Sequence, residues 1–307
     1  MIRALTPDDC PAAIRAWESC YLTKHRICPR LFTQHAFQDP HAVPESCLIH
    51  PPSGAWVTTK VPLDTPTWEG MRAEVGWIGA LAASEPAVAH ALLDEAETAL
   101  REAGMREVHF GSDPNHVYPG PPQEETWLIE LLASRGFELG ETVYDLYAPI
   151  DALPVRLVHN EAGPVTAGEV EGLLEFVSHE FPGRWLAETE HRLRVEDDPS
   201  FAVVVREAGR IVAFVHASTL QHRYLAGNLN FHLSLGSNPG GIGNVGVAAS
   251  HRGRGLGRAV MEAAIEVLRA KGVTGISVDW TGLLDFYGRL GFAPRTSYRV
   301  CCKRLAE

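Results

Sequence analysis

The sequence predicts an α/β protein made of two similar halves, on three observations: its length, an internal repeat, and alternating helical and strand periodicities in both copies. At 307 residues the chain exceeds one ordinary domain of about 100–200 residues, so two domains are expected. "VGWIGALAASEPAVAHALLDEAETALREAGMREVHF", from Val75, reads strand, turn, amphipathic helix, glycine stop, strand; "VGVAASHRGRGLGRAVMEAAIEVLRAKGVTGISV", from Val245, reads the same. Downstream, "LLASRGFELGETVYDLY" is echoed by "DFYGRLGFAPRTSYRV", each a helix, Gly-Phe, a turn and a strand. The border falls at "APIDALP", residues 148–154, which divides the chain into 1–150 and 151–307.

Each element has its own signal. In the first half, apolar alternation gives a strand from Val75, and a 3.6-residue period then gives a helix that Gly104 ends in a left-handed cap. A strand closing at Phe110 follows, then a loop over 111–122 rich in Gly and Pro, a helix before Gly136 and a terminal strand. The second half reads as strand 155–159, helices 166–178 and 186–195, and strands 201–206, 210–218 and 242–248. It closes with helix 256–271, stopped at Gly272, strand 274–279, helix 281–290 and strand 297–304, with a loop at 236–243. Helices alternate with strands, so a mixed sheet is expected.

Composition narrows the function classes. Hydrophobic residues make up 45% and charged residues 21%, the balance of a soluble globular protein, and no run approaches the ~18 apolar residues of a membrane span. The opening "MIRALTPDDC" lacks a basic-then-apolar export signal, so a cytoplasmic location is expected. A net charge of −11 argues against a nucleic-acid surface and suits a small substrate that bears an amine. The six cysteines, at 10, 20, 28, 47, 301 and 302, show no C-x-x-C and no zinc spacing, so reduced thiols and no metal are expected.

The stretch "HRGRGLGRAV", His251 to Val260, carries the chemistry. Glycine costs roughly 0.8–1 kcal/mol relative to alanine inside a helix, so three alternating glycines at a helix start imply a close approach to the backbone. A helix N-terminus has unpaired N–H groups and about half a positive charge, which together attract phosphate. The amides of Arg252, Gly253, Arg254, Gly255, Leu256, Gly257 and Arg258 can converge on one pyrophosphate, with arginine side chains adding charge. Just upstream, "GIGNVG", Gly241 to Gly246, matches the dinucleotide fingerprint G-x-G-x-x-G but enters a strand instead of opening a helix. Nicotinamide and flavin binding are set aside on that ground.

"VGVAASHRGRGLGRAV" resembles the acyl-CoA-binding strand–loop–helix of the GNAT N-acetyltransferase superfamily, whose loop reads Arg/Gln-x-x-Gly-x-Gly/Ala, here Arg252, Gly255 and Gly257. "FYGRLGF" resembles that family's Tyr-x-x-x-Gly-Phe, here Tyr287, Gly291 and Phe292. The resemblance covers the second half well and the first in outline. It implies two tandem GNAT-like domains, each a mixed, mostly antiparallel sheet flanked by helices, the first degenerate and the second catalytic. It also implies acetyl-CoA as cosubstrate, with the acetyl carbonyl held by a backbone N–H at Val245, Gly246 or Val247, and Tyr287 as the acid that protonates the departing thiolate.

The general base is open among three side chains. Asp279 ends a strand, where α/β sheets open into their ligand crevice, and is preferred over Glu180 and His216. The acceptor is a primary amine of a small molecule; "VDWTGLLDFYGRLGF" looks like the tandem branch that acetylates glucosamine and glucosaminides. Trp185 and Trp280 can stack on a sugar face, His216 can line the site, and Asp113, His116 and Tyr118 of the 111–122 loop can bind hydroxyls. Mycothiol-synthase-like and aminoglycoside-type acetylation, and a non-catalytic acyl-CoA sensor, are the alternatives. Registering the halves on Gly104 and Gly272 puts Ser84, Ala87 and Ala89 opposite Arg252, Gly255 and Gly257, and Pro86 opposite Arg254. Registering on the Gly-Phe pairs puts Leu132 opposite Tyr287, so the first half is expected not to bind CoA.

Overall fold

The structure, a computed structural model, describes residues 1–63, 71–153 and 161–305; the strand expected at 155–159 lies outside the described residues. The first half runs β1 (Arg3–Ala4), α1 (Cys10–Cys20), α2 (Pro29–Thr33), β2 (Leu48–His50), β3 (Ala55–Lys60), β4 (Val75–Ala82), α3 (Pro86–Glu102), β5 (Glu107–Phe110), α4 (Thr126–Ser134) and β6 (Glu138–Pro149). The second runs β7 (Ala162–Pro164), α5 (Val170–Glu180), α6 (Arg184–Val195), β8 (Ala202–Glu207), β9 (Arg210–Thr219), β10 (Pro239–Val247), α7 (Leu256–Ala270), β11 (Gly275–Thr281), α8 (Leu284–Gly288) and β12 (Ala293–Arg304). The repeat begins earlier than the sequence echo. Thr6 and Asp9 form a capping box before α1, with the Thr6 N–H 2.9 Å from the carboxylate, and Thr166 and Glu169 form the same box before α5, also at 2.9 Å.

All these strands join in one twelve-stranded sheet, ordered β1-β2-β3-β4-β5-β12-β6-β11-β10-β9-β8-β7. Pairing is antiparallel except for β4 with β5 and β10 with β11. The last strand of each half has changed sides: β12 lies between β5 and β6, and β6 lies against β11. The apolar packing follows the exchange. Tyr298 and Cys301 of β12 are buried in the first half's core, while Leu146 and Ala148 of β6 and neighbouring Ile150 belong to a core of the second. The division at residue 150 marks the copies in sequence, and the packed units interlock across it.

Two element boundaries depart from the sequence reading. The helix expected over 281–290 is confined to α8, because β11 continues to Thr281 before Gly282 breaks the chain direction. The loop expected at 236–243 is largely strand: β10 starts at Pro239, so "GIGNVG" lies inside it. Gly241 has no room for a Cβ because the Asn228 side chain lies directly on it, which explains a glycine-rich strand. Among the described residues no helix is long and apolar enough to cross a membrane.

The exchange makes a thermal prediction. A chain ending at residue 290 loses β12, leaving β5 and β6 without their shared neighbour, and should show no cooperative melt of either half by circular dichroism. A surviving first-half transition would show that residues 1–150 fold without the strand.

Candidate active site

The site is a wedge between β10 and β11, which pair from Pro239–Gly275 to Ile242–Val278 and then part. Two β-bulges open the wedge. In β10, Asn244 and Val245 oppose the single Val215 of β9, and Asn244 takes φ +53°. In β11, Asp279 and Trp280 oppose the single Asp145 of β6, and Trp280 takes φ +43°. A bulky residue adopts that left-handed region only when its surroundings enforce it. Here the Trp280 N–H donates to Asp145 Oδ1 at 3.1 Å, and the Tyr298 hydroxyl of β12 donates to Oδ2 at 2.6 Å. Both exchanged strands therefore brace the bulge.

Among the described residues no strand covers the β11-facing edge of β10 beyond Ile242, and a cavity of about 280 Å³ fills the opening. Asp279 and Tyr287 line it, with Val245 and Trp280; α6 contributes Arg184, Trp185, Glu188 and Arg192, and residues 114–116 of the first half close one wall. The Asp279 carboxylate stands 3.5 Å from His116 Nε2 and 3.5 Å from Asn228 Nδ2. Tyr287 is buried, yet its hydroxyl has no hydrogen-bond partner among the described residues. Burial, and then the Asp279 charge, push the phenol well above its ordinary value, so it stays protonated. Desolvation and the same Asp279 charge push Asp145 up to about 7.

The glycine loop lies at the end of β10. Gly253 and Gly255 sit at φ +76° and +80°, conformations that suit glycine, and Gly255 is the N-cap of α7 without any side-chain cap. The first amides of α7, Leu256 to Arg258, have no acceptor within the helix by its geometry. A Cβ at Gly257 would point toward Val247 and Phe286 at ordinary contact distance. Arg252 Nε reaches the Val247 carbonyl at 3.3 Å, Arg254 pairs with Glu207 at 2.9 Å, and Arg258 pairs with Glu262 at 2.8 Å. These are partly exposed pairs of small worth, which a pyrophosphate can displace.

Of the residues singled out from sequence, the cavity gathers Tyr287, Asp279, Val245, Trp185, Trp280, His216 and His116. Gly246, Val247 and the glycine loop lie next to the cavity without lining it, and three further residues lie elsewhere. Glu180 accepts the Ala249 N–H at 2.8 Å and lines a shallow outer groove, so it braces the glycine loop instead of facing the cavity. Asp113 is fully buried against the Lys60 ammonium, which also pairs with Asp39 at 2.7 Å. Tyr118 is fully buried, stacks on Phe110, and places its hydroxyl 3.1 Å from that of Tyr21. An ion pair and an aromatic stack claim these side chains before any substrate can. His216 reaches the cavity, but Asn244 Nδ2 is 3.3 Å from its Nδ1 and Thr189 Oγ1 3.1 Å from its Nε2. With both nitrogens engaged, and burial holding it well below the usual histidine range, it is poorly placed to accept a proton.

Sequence reasoning missed Glu188, Arg192, Tyr224 and Asn228. The spacing Arg184, Glu188, Arg192 put three charges on one face of α6, which was the available signal. In the first half the corresponding wedge is plugged: β4 and β5 part after Ile78–Phe110, and the Tyr21 hydroxyl donates to the Leu81 carbonyl just beyond, at 2.7 Å. Residues 83–85 connect β4 to α3, where residues 248–255 connect β10 to α7, so no glycine cradle forms. A groove of about 470 Å³ remains beside α3, and its lining holds no lysine or arginine. Leu132, opposite Tyr287 in register, is core.

Residues 170–292 match the Acetyltransferase (GNAT) family. No curated protein matches the chain in sequence. Among solved structures, a GCN5-related glucosamine N-acetyltransferase region of a fungal multi-domain GH3 β-N-acetylglucosaminidase is similar with a TM-score of 0.83 and 22% identity over 99% of this chain. This chain spans 38% of that protein's length. A GCN5-related N-acetyltransferase from Sphaerobacter thermophilus is similar at 0.70 and 18%, covering 100% of this chain and 96% of the other. A tandem GNAT protein from the clavulanic acid biosynthesis pathway is similar at 0.68 and 14%, covering 100% and 99%. At such identities the likeness establishes a shared tandem GNAT fold.

The Asp145 carboxyl sets a pH dependence. Its value in the folded chain exceeds that of a free aspartate, so the stability it lends is full below about 4 and is lost as pH rises toward about 7. In thermal melts, Asp145→Asn should flatten the decline between those values. An unchanged slope would show that the carboxyl ionises normally.

Proposed function

We propose that this chain, whose residues 170–292 match the Acetyltransferase (GNAT) family, is an N-acetyltransferase that moves the acetyl group of acetyl-CoA to a primary amine of a small molecule, an amino sugar first among them. The observation that carries the reading is the open wedge, where Asp279 and Tyr287 line one cavity at an uncovered strand edge beside the glycine-opened start of α7. The amides at the start of α7 and the arginines around them suit the pyrophosphate of CoA. The β10 edge at Val245–Val247 offers backbone N–H to the thioester oxygen, where charge grows as the amine attacks.

The proton inventory fits the transfer. An ammonium must lose one proton before its nitrogen bonds to the acetyl carbon, and Asp279, flanked by His116 and Asn228, is the carboxylate placed to take it. As the carbon–sulfur bond breaks, the thiolate needs a proton; Tyr287, protonated and without a partner among the described residues, is the donor at hand. Support for an amino sugar comes from the glucosamine N-acetyltransferase region with a similar fold and from Trp185 in the cavity lining, a flat surface for a sugar ring; the Trp280 ring is already covered by Arg184. A cavity of about 280 Å³ suits a single ring better than a protein tail.

Two measurements test this. Tyr287→Phe should lower kcat by about 10²–10⁴ with acetyl-CoA affinity within a few-fold, because its proton is needed only as sulfur leaves. Unchanged kcat in a thiol-release assay would remove Tyr287 from the chemistry. Calorimetric titration with acetyl-CoA should give one site per chain, and Gly255→Glu should abolish binding, since it forces a side chain into a left-handed position and a negative charge toward the pyrophosphate. Two sites would show that the first half retains a CoA site.

A further inference from the structure

Arg192 is a cation in the wrong surroundings. It is 3% exposed, lines the cavity, and among the described residues has no carboxylate within 4.0 Å. Its guanidinium lies 4.1 Å above the Phe201 ring; Nη1 donates to Ser218 Oγ at 3.1 Å, Nη2 is 3.5 Å from His222 Nδ1, and Nε has no acceptor. The carboxylates nearby are otherwise engaged. Glu188 pairs with Arg184 at 3.3 Å and accepts Asn244 Nδ2 at 2.5 Å, while Glu196 accepts the backbone N–H groups of Arg223 and Tyr224. Burial draws Arg192 down to about 10, which leaves it fully charged at neutral pH. A buried charge persists where something pairs with it, and an arginine whose fork is half used is a preorganised receptor for a planar or tetrahedral anion.

We propose that the cavity takes an amine that also bears an anionic group, a carboxylate or a phosphate, and that Arg192 is the partner of that group. The inference rests on reading the cavity as the acceptor site and narrows its substrate class. With Arg184 and Glu188 neutralising each other, Arg192 and Asp279 remain as one positive and one negative charge in the same enclosure. A zwitterionic acceptor answers both, its ammonium at Asp279 and its anion at Arg192. Ser218 Oγ accepts from Nη1 and so fixes the guanidinium at the cavity wall.

The test compares matched amines at saturating acetyl-CoA: glucosamine, glucosamine 6-phosphate and 2-amino-2-deoxygluconate. One or both acidic amines should show kcat/KM about 10- to 100-fold above glucosamine, carried mainly by KM, and which one gains tells carboxylate from phosphate. Arg192→Gln should erase that advantage, so that the acidic amines and glucosamine show equal kcat/KM when compared within the variant; Arg192→Lys should keep part of it. Separately, with CoA saturating the glycine loop, inorganic phosphate should raise the melting temperature of the wild-type chain and not of Arg192→Gln. Equal kcat/KM for all three amines in the wild type, or an advantage that survives Arg192→Gln, overturns the proposal, and the wild-type comparison decides even if the variants fail to fold. No CoA release with any amine, alongside Arg192-dependent phosphate binding, overturns the acetyltransferase reading and leaves the anion site standing.

Discussion

The rest of the structure depends on the exchange of the two terminal strands. β12 and β6 lie side by side at the centre of one continuous sheet, each packing into the core of the other half. Without the exchange, β11 would have no Asp145 beside it. The bulge at Asp279 and Trp280 would then lose the acceptor that holds Trp280 in a left-handed conformation. The cleft of the second half is thus completed by a strand and a loop of the first. The first half supplies a wall of the second half's cavity, whatever else it does.

The two wedges differ in how their edges are satisfied. Parallel strands that part leave a gap with unpaired backbone groups on its edges, and such groups are costly when buried without partners. The first half satisfies them internally, with the Tyr21 hydroxyl on the Leu81 carbonyl and the stack of Tyr118 on Phe110 filling the space. The second half keeps its wedge open, with bulges on both strands that aim Asn244, Asp279 and Trp280 inward. Charge follows the same division. The first half's buried Asp39 and Asp113 enclose Lys60, whereas Asp279 and Arg192 in the second stay apart from each other and face the cavity.

A chain of contacts links those two charge clusters. Asn115 donates to Asp39 at 3.2 Å and accepts from the Tyr224 hydroxyl at 3.2 Å, and its own carbonyl takes the Lys60 ammonium at 3.2 Å. The next residue, His116, stands edge-on to Trp280 with ring centroids 4.7 Å apart. The loop that closes the cavity is therefore anchored in a buried ion cluster of the first half, which makes it a rigid wall of the cleft. Arg184, 4.3 Å above the Trp280 ring, holds the same indole from the other side.

Local pattern determined a good deal. The repeat, the helix stops at Gly104 and Gly272, the glycine loop, Tyr287 and Asp279 were all legible, because capping, left-handed turns and helix N-termini act within a few residues of chain. The missing glycine cradle of the first half was legible too, since Ala87 and Ala89 stand opposite Gly255 and Gly257 and Pro86 opposite Arg254. Only the tertiary structure decided which half each terminal strand would complete, because the pairing of β12 with β5 joins residues nearly two hundred positions apart and an edge strand's own sequence does not name its neighbour. It also decided that Asp113 and Tyr118 are interior while His116, from the same loop, reaches the cavity, and that Glu180 braces a loop while Arg192 lines the cavity. A polar side chain's role is set by the partners that reach it first, and those partners come from elements distant in sequence.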